Sequence, residues 1–257
     1  MAKPTRQLRG LRTLVTGASS GIGRATSAAL ASRGATVVGS GRDPAALAAG
    51  SREEGGPFTA TIVRDLTEPG APSAVVGAAA DALGGLDLVV SCAGAGWSGP
   101  FQEMTPSDID ALLDINLKAS VLVAHAAASY LRSSDARGQL VLVGSIAGLL
   151  GVAEEAVYSA TKAGLRGLAD ALRAEWYPVT VTLVSPGAVS TPFFTRRNRP
   201  YTRSWPKPIN VSRAADAIVD AIQRRREEVI VPRWLVLPAR LNGGCPALYS
   251  KLARRWA

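Results

Sequence analysis

The sequence RTLVTGASSGIGRATSAALASR, residues 12–33, decides the fold of this chain. Its apolar start, Arg12 to Thr16, predicts a β-strand, and the Ala-rich run from Ala25 to Arg33 predicts a helix. The glycine-rich turn TGASSGIG, residues 16–23, stands between them. Glycines let a backbone turn tightly and approach a phosphate, and a helix N-terminus offers free N–H groups and a positive dipole end. This context favours a turn that binds the diphosphate of a dinucleotide over an ordinary strand-to-helix connection.

Strands and helices alternate along the rest of the chain. The further runs expected to form strands are Thr36–Ser40, Thr59–Val63, Leu86–Ser91, Gln139–Gly144, Val179–Val184 and Val229–Val231. The further runs expected to form helices are Pro44–Glu54, Ser73–Leu83, Pro106–Leu131, Glu154–Trp176 and Arg213–Arg226. Such alternation is typical of parallel strands joined by right-handed helical crossovers, with helices on both faces of the sheet. We therefore predict a single doubly wound, Rossmann-type α/β domain over residues 1–257.

Composition excludes several classes of protein. With 47% hydrophobic and 19% charged residues, the chain is globular rather than disordered. Cys92 and Cys245 are too few for a disulfide framework and lack the paired spacing of a zinc site, so we expect reduced thiols, no metal and a cytoplasmic protein. The basic N-terminus lacks the apolar stretch of a signal peptide. No apolar run is expected to reach the roughly 20 residues of a membrane-spanning helix.

The net charge of +9 is concentrated in the last quarter of the chain. Residues 193–257 contain 14 Lys/Arg and 4 Asp/Glu, a balance of +10, whereas residues 1–192 contain 15 and 16, a balance of −1. A basic block of this kind can meet the phosphates of a cofactor, of lipid headgroups or of nucleic acid. No nucleic-acid recognition motif accompanies the charge, so we expect no nucleic-acid partner.

Tyr158 and Lys162 are candidates for proton transfer. They stand four residues apart in a predicted helix and therefore share one face. A tyrosine with the ordinary pKa of about 10 is a poor acid or base at neutral pH, and a neighbouring ammonium is expected to lower that pKa by favouring the phenolate. The pair also arises by chance, as a half-buried tyrosine beside a solvent-directed lysine. Ser145 weakens that alternative, because it follows a predicted strand and places a hydroxyl at the sheet edge where α/β sites form.

Together these motifs resemble the short-chain dehydrogenase/reductase family, over residues 12–192. The segments that carry the resemblance are Thr16-Gly17-x-x-x-Gly21-x-Gly23, Asp65-Leu66, Cys92-Ala93-Gly94, Asn116, Ser145, Tyr158-x-x-x-Lys162 and Ser185-Pro186-Gly187 followed by Thr191. The resemblance implies an oxidoreductase that moves a hydride between a nicotinamide dinucleotide and a carbonyl or alcohol. A protein that keeps this fold to sense the dinucleotide, without turnover, is the alternative function.

The cofactor is expected to be NADP(H). Residues expected to contact it are Gly17, Ser19, Ser20, Gly21, Ile22, Gly23, Arg42, Asp65, Leu66, Ala93, Gly94, Tyr158, Lys162, Pro186, Gly187, Val189 and Thr191. NAD-preferring relatives tend to place an acidic residue at the Gly41 position, and here Arg42 follows a glycine instead. A guanidinium forms charge-assisted bonds to a 2′-phosphate, which a carboxylate would repel. Arg42 as a solvent-exposed loop charge, and Asp65 as a cap of the following helix, are the alternatives.

The resemblance also implies catalytic roles for Asn116, Ser145, Tyr158 and Lys162. Tyr158 would transfer the proton, Ser145 would orient and polarise the substrate carbonyl, and Lys162 would also bind the nicotinamide ribose. Asn116 matches an asparagine that bends its helix and holds a water in a relay to the lysine, or else its amide is paired locally. Cys92 replaces the usual asparagine, a departure that concerns a structural hydrogen bond of the central sheet and not the chemistry.

Segment 193–212 is expected to form a substrate-covering loop, since prolines interrupt regular structure there. The aromatic residues expected near the substrate are Trp97, Phe101, Phe193, Phe194, Tyr201 and Trp205. They indicate a pocket for an apolar or aromatic small molecule. The loop cations, which would instead suit an acidic group such as a thioester carrier or a lipid phosphate, are Arg196, Arg197, Arg199, Arg203 and Lys207.

Residues 233–257 are expected to form a basic amphipathic tail. The apolar and basic positions of its predicted helix are Leu248, Leu252 and Trp256 with Lys251, Arg254 and Arg255. Such a stripe packs on the domain or on a second subunit, which we favour, or makes peripheral contact with an anionic membrane. Proteins that resemble this family commonly pair through the helices carrying Asn116 and Tyr158, so a homodimer or homotetramer is expected.

Overall fold

Seven parallel strands form one sheet in this computed structural model, which describes residues 5–51, 56–202 and 206–253. The strands are β1 (Arg12–Thr16), β2 (Thr36–Gly41), β3 (Ala60–Val63), β4 (Leu88–Ser91), β5 (Gln139–Val143), β6 (Thr180–Pro186) and β7 (Glu228–Val231). Their order across the sheet is β3-β2-β1-β4-β5-β6-β7. The order reverses between β1 and β4, and such a switch point opens a crevice at the carboxyl ends of the strands.

Helices cover both faces of the sheet. They are α1 (Gly21–Ala31), α2 (Pro44–Ser51), α3 (Ala71–Leu83), α4 (Pro106–Leu113), α5 (Ala119–Arg132), α6 (Ala147–Leu150), α7 (Ala156–Glu175), α8 (Phe193–Arg196), α9 (Val211–Gln223), α10 (Val236–Gly244) and α11 (Pro246–Ala253). One apolar layer contains α3, α5 and α7, and the other contains α1, α2 and α9. Alternate strand residues enter opposite layers: Leu14 packs in the first and Val15 in the second.

The predicted doubly wound fold is confirmed, with corrections to several helices. The first helix begins at Gly21 rather than Ala25, so the end of the glycine-rich turn is already helical. The predicted helix from Pro106 to Leu131 is interrupted by a π-helical segment, Asp114–Lys118. The predicted helix Pro44–Glu54 is present from Pro44 to Ser51, and residues 52–54 lie outside the described residues.

The expected loop over residues 193–212 is partly helical. It contains α8, and Asn210 ends it by capping α9, because its Oδ1 accepts from Ser212 N at 2.9 Å. Some residues named from the sequence lie outside the described residues: Arg203, Trp205, Arg254, Arg255 and Trp256, together with the side chain of Leu252.

One helical run is more apolar than the sequence analysis expected. Residues 106–132 are long and apolar enough, by length and composition alone, to cross a membrane. In the fold Val123, Ala127 and Leu131 are fully buried in the layer between α5 and the sheet. Their burial explains the apolar composition as that of a core helix.

Asp87 joins three segments at the amino edge of the sheet. Its carboxylate accepts from Arg12 Nη2 at 2.8 Å, from Arg12 N at 3.0 Å and from Ser134 Oγ at 2.7 Å. Burial alone would raise the pKa of Asp87, but these hydrogen bonds and the Arg12 charge outweigh burial and lower the pKa to about 2. The ionised carboxylate therefore stabilises the start of β1 against the chain that precedes β5.

We expect Asp87→Asn to lower the free energy of unfolding at pH 7 by about 2 kcal/mol, because charge-assisted hydrogen bonds of a buried group are lost. Because the pKa of Asp87 is lowered by folding, its carboxylate stabilises the fold at pH values above 3.8, the ordinary pKa. This contribution is lost as the pH falls toward 2. Urea unfolding across this range measures the effect. Asp81→Asn, which removes an exposed carboxylate, is the control, and equal effects of both variants would contradict this role of Asp87.

Candidate functional site

A cavity of about 730 Å³ lies at the carboxyl ends of the strands, around the switch point between β1 and β4. Its walls come from the turns after β1 to β6, from α7 and from the segment after β6. Parallel strands direct their carboxyl ends to one edge, so residues far apart in sequence meet there. The volume lies in the usual range for small-molecule sites.

Gly17 and Gly23 determine the shape of the turn after β1. Gly17 has φ +66°, and a Cβ there would lie 2.8 Å from the Cα of Ala93 in the turn after β4. A Cβ on Gly23 would lie 2.3 Å from the Gly17 carbonyl oxygen. Only glycine permits this closure. The N-terminus of α1 meets the cavity without a side-chain cap from Ser20, an arrangement that suits an anion.

The cavity brings together all the residues that the sequence assigned to the cofactor. Those lining it are Gly17, Ser19, Ser20, Gly21, Ile22, Gly23, Arg42, Asp65, Leu66, Ala93, Gly94, Tyr158, Lys162, Pro186, Gly187, Val189 and Thr191. Arg64, Glu155 and Leu235 also line it and were missed. Arg64 could have been found from its place beside Asp65, whereas no motif marks Leu235.

Two guanidinium groups, of Arg42 and Arg64, line the end of the cavity formed by the turns after β2 and β3. The Arg42 side chain is 77% exposed, and its Nη1 lies 3.9 Å from Asp65 Oδ2. Asp65 accepts from Thr67 N at 2.9 Å and from Thr67 Oγ1 at 2.8 Å. These bonds hold a turn rather than cap α3, which begins six residues later. Arg64 Nη1 lies 3.9 Å from Glu68 Oε2, and its side chain is 56% exposed. Both arginines are thus paired only at 3.9 Å and are accessible to a phosphate.

Arg196 reaches from α8 to the glycine-rich turn. Its Nη1 donates to Ser20 Oγ at 3.0 Å. A Cβ on Gly21 would lie 3.3 Å from the Cβ of Thr191, so the segment after β6 contacts the start of α1. The sequence placed Arg196 near the substrate, but the structure places its charge at the open N-terminus of α1.

Ser145, Tyr158 and Lys162 meet in one wall of the cavity. The Ser145 hydroxyl accepts from Ala147 N at 3.1 Å and lies close enough to the Tyr158 phenol to lower its pKa. Lys162 Nζ lies 5.8 Å from the centre of the Tyr158 ring and donates to the Val143 carbonyl at 3.1 Å. Lys162 is only 6% exposed. The arrangement presents a hydroxyl, a phenol and an ammonium to one point, as proton transfer to a substrate oxygen requires.

Burial dominates the protonation of this group. It raises the pKa of Tyr158 to about 12, although the hydrogen bond from Ser145 lowers it. It lowers the pKa of Lys162 to about 8. The prediction that Lys162 depresses the Tyr158 pKa is therefore wrong for this pocket, because desolvation of the phenolate is the larger effect.

Asn116 lies in the π-helical segment and is fully buried. Its Oδ1 accepts from Ala95 N at 2.9 Å, and its Nδ2 donates to Ala95 O at 2.9 Å. A Cβ on Gly94 would lie 2.8 Å from Asn116 Oδ1 and 3.5 Å from Lys162 Nζ, so both polar groups flank this glycine. The predicted helix distortion is present, and the amide is paired locally instead of lining the cavity.

Aromatic rings extend from Tyr158 along the segment after β6. The centroids of Tyr158 and Phe193 lie 5.7 Å apart, those of Phe193 and Phe194 5.4 Å, and those of Phe194 and Tyr201 4.8 Å. Trp97 also lines the cavity. These rings form the apolar wall that the sequence indicated.

Three consecutive side chains, residues 197–199, fasten this segment to the site. Arg197 Nη1 lies 2.6 Å from Glu155 Oε1, and the two side chains are 5% and 15% exposed. Asn198 accepts from Ser98 N at 2.8 Å and donates to Ser98 O at 2.7 Å. We call residues 197–199 the latch.

The latch bears on the alternative that the loop cations meet an acidic group, because it pairs two of them with carboxylates. Arg197 is neutralised by Glu155, and Arg199 Nη2 lies 2.9 Å from Glu103 Oε2. Phe101, expected near the substrate, is 60% exposed and does not line the cavity. Two ion pairs within the chain thus hold the aromatic wall, and they use the charges of Arg197 and Arg199.

Thr16 joins β1 to the turn after β4, where Cys92 replaces asparagine. Its Oγ1 accepts from Cys92 N at 3.1 Å and from Ala93 N at 3.3 Å. Burial raises the pKa of the Cys92 thiol to about 11, opposed by the charge of Lys162. This contact joins the two strands without using the side chain of residue 92.

Comparisons with known proteins identify the family of this chain. A family model described as short chain dehydrogenase matches residues 12–202. The (3R)-3-hydroxyacyl-CoA dehydrogenase of Canis lupus familiaris is 38% identical over 205 residues, which cover 75% of this chain and 78% of that protein.

Two solved structures share the fold. A short-chain dehydrogenase from Sphingobium yanoikuyae in complex with NADPH has a TM-score of 0.78 and 30% identity, and the match covers 90% of this chain and 93% of that one. A short chain dehydrogenase/reductase from Burkholderia phymatum in complex with NAD has a TM-score of 0.83 at 23% identity, with 94% and 96% covered. The second likeness concerns the fold alone.

We expect Lys162→Met to raise the thermal unfolding midpoint at pH 7, because it removes a buried ammonium whose desolvation disfavours the folded state. A lysine with a lowered pKa costs stability fully below pH 8, and the cost fades as the pH rises toward the ordinary value of 10.5. Thermal unfolding at pH values across this range should show the gap closing. Lys207→Met, at an exposed site, is the control, and a Lys162→Met variant less stable than wild type at pH 7 would contradict the prediction.

Proposed function

Because this chain belongs to the short-chain dehydrogenase family, we propose that it is an NADP(H)-dependent enzyme that transfers a hydride between the nicotinamide and a carbonyl or alcohol of an apolar small molecule. The family itself makes the chain an oxidoreductase that acts on CH–OH or C=O groups with a nicotinamide dinucleotide. The observation that carries the finer proposal is the meeting of Ser145, Tyr158 and Lys162 in the cavity that the glycine-rich turn lines.

The cavity has the chemistry that an extended dinucleotide needs. The open N-terminus of α1, with Arg196 beside it, suits the diphosphate. Lys162 would hold the nicotinamide ribose, and Thr191 the carboxamide. The bound nicotinamide supplies or accepts the hydride.

Tyr158 acts as the acid and the base in this proposal. Its pKa of about 12 keeps the proton on Oη at neutral pH, available to the carbonyl oxygen during reduction. Ser145 donates a hydrogen bond to the same oxygen, where negative charge develops. The Lys162 ammonium stabilises the phenolate left after transfer. In oxidation the same phenolate accepts the alcohol proton.

The accessible cations Arg42 and Arg64 support a preference for NADP(H). Both line the end of the cavity beside the turn that follows β2, where no carboxylate occupies position 41. A 2′-phosphate there would gain charge-assisted hydrogen bonds. Asp65 Oδ1 accepts from Thr67, while its Oδ2 lies 3.9 Å from Arg42 Nη1, so Arg42 has one distant carboxylate neighbour and its side chain stays 77% exposed.

The aromatic wall supports an apolar substrate. Phe193 packs directly on the Tyr158 ring, so a group bound against it would lie beside the proton donor. Arg197 lies over the Phe194 ring at 4.9 Å and is neutralised by Glu155. The wall therefore offers ring faces and a balanced charge to the part of the substrate beyond the carbonyl.

We expect Tyr158→Phe to leave NADPH binding unchanged and to lower the rate of carbonyl reduction by about 10²-fold or more, because the proton donor is removed. The rate is measured as NADPH consumption with a panel of aromatic ketones. Tyr130→Phe, on α5 away from the cavity, serves as the control. Retained turnover in the Tyr158 variant would overturn the acid/base assignment, and a wild-type protein that binds NADPH but turns over no substrate would favour the sensing function.

We expect Arg42→Ala to weaken NADPH binding about tenfold or more and to leave NADH binding unchanged, since only NADPH carries the 2′-phosphate. Arg196→Met should weaken both nucleotides by a similar factor, because the diphosphate is common to them. Nicotinamide fluorescence titration measures the dissociation constants of NADPH and NADH for each variant and for the wild type. Arg199→Met, which removes a charge from the same segment as Arg196, is the control. Equal weakening of both nucleotides by Arg42→Ala would refute the specificity assignment.

A further inference from the structure

We propose that the C-terminal end of this protein docks on anionic lipid bilayers. The surface concerned, which we call the tail face, is formed by the exposed residues Arg233, Trp234, Leu237, Arg240, Leu248 and Lys251. It belongs to α10, α11 and the turn before them, which are no part of the proton-transfer site.

Large apolar side chains are exposed on the tail face. Leu237 is 77% exposed, Leu248 50% and Trp234 43%. Leu237 and Arg240 are three residues apart in α10, which places them on one side of that helix, and Arg233 lies in the 3-10 turn that leads into it. A leucine between two arginines suits the boundary between headgroups and acyl chains, where the apolar side chain enters and the cations stay with the phosphates.

The charge of this end is wholly positive. Residues 229–257 contain five basic residues, Arg233, Arg240, Lys251, Arg254 and Arg255, and no acidic residue. Within the described part of the chain, no carboxylate lies within 4.0 Å of Arg233, Arg240 or Lys251. Elsewhere arginines are commonly paired, as Arg197 and Arg199 are in the latch. The tail face therefore complements an anionic surface.

The same charge argues against a second copy of this chain as the occupant. A two-fold interface brings one patch against itself. The cations of the tail face would then meet the cations of the same face on the copy, and residues 229–257 offer no acidic side chain to compensate. The face of α4 and α5 exposes Leu113, Val121 and Leu122 and suits self-association better.

The tail face is joined to the wall of the cavity. Asn242 Nδ2 donates to the Leu149 carbonyl at 2.8 Å, which ties α10 to α6, directly after Ser145. Leu235, in the turn before α10, lines the cavity. It packs closely on Gly187, where an added Cβ would lie 2.7 Å from the Leu235 side chain. Docking through this face would bring the cavity close to the bilayer, and an apolar substrate dissolved in the lipid would then have a short path into the cavity. This consequence rests on the proposed function, whereas the docking itself does not.

Vesicle co-sedimentation of the full chain tests the docking. We expect binding to vesicles of phosphatidylcholine with phosphatidylserine, much weaker binding to phosphatidylcholine alone, and loss of binding at high salt. Arg233→Gln with Arg240→Gln should reduce partition about fivefold for each charge removed, and Leu237→Ser about tenfold. The controls are Arg132→Gln and Tyr177→Ser, which remove an exposed charge and a ring that is 86% exposed at the amino edge of the sheet.

NADPH titration and thermal unfolding of each variant establish that it is folded, and they separate this proposal from the proposed function. Docking by a protein that does not bind NADPH would still support the tail-face proposal. Failure of the wild type to bind anionic vesicles at low salt would overturn it. Self-association that Leu237→Ser abolishes, without vesicle binding, would also overturn it and assign the face to a second copy.

Discussion

The close approach of the turns after β1 and β4 is the constraint on which the site depends. Gly17 lacks a Cβ where one would lie 2.8 Å from Ala93, and Thr16 accepts hydrogen bonds from the backbone of the same turn. This contact fixes the open N-terminus of α1 relative to the turn that meets Asn116 and Lys162. The turn after β1 and the turn beside Asn116 and Lys162 thus keep one separation, which a backbone contact and the Thr16 hydroxyl set together.

Desolvation then sets the chemistry of the groups that this contact positions. Burial keeps Tyr158 protonated. Lys162 is a buried cation that, among the described residues, donates one hydrogen bond, to the carbonyl oxygen of Val143. A lysine in that state favours any arrangement that adds negative charge beside it, including a phenolate. Burial therefore disfavours both the phenolate of Tyr158 and the ammonium of Lys162 in this pocket.

Much of this organisation could be predicted from sequence, because it depends on short-range patterns. Apolar runs of strand length and the glycine spacing of residues 16–23 predicted the sheet and its turn, and the interval from Ser145 to Lys162 predicted one wall. The pKa of Tyr158 could not be predicted, since burial depends on elements distant in sequence. The same holds for Arg197, whose partner Glu155 stands 42 residues earlier.

The latch has a consequence for how pockets of this design diversify. Residues that shape the apolar wall lie after β6, yet they are fastened to Ser98 and Glu103, which follow β4, and to Glu155. A graft that carries only the later segment into another member of the fold would leave Arg197 and Arg199 without their carboxylates, whereas Asn198 bonds only backbone atoms of Ser98. The segment after β6 and its partners after β4 therefore form one structural unit, and recombination between positions 104 and 190 would separate its two halves.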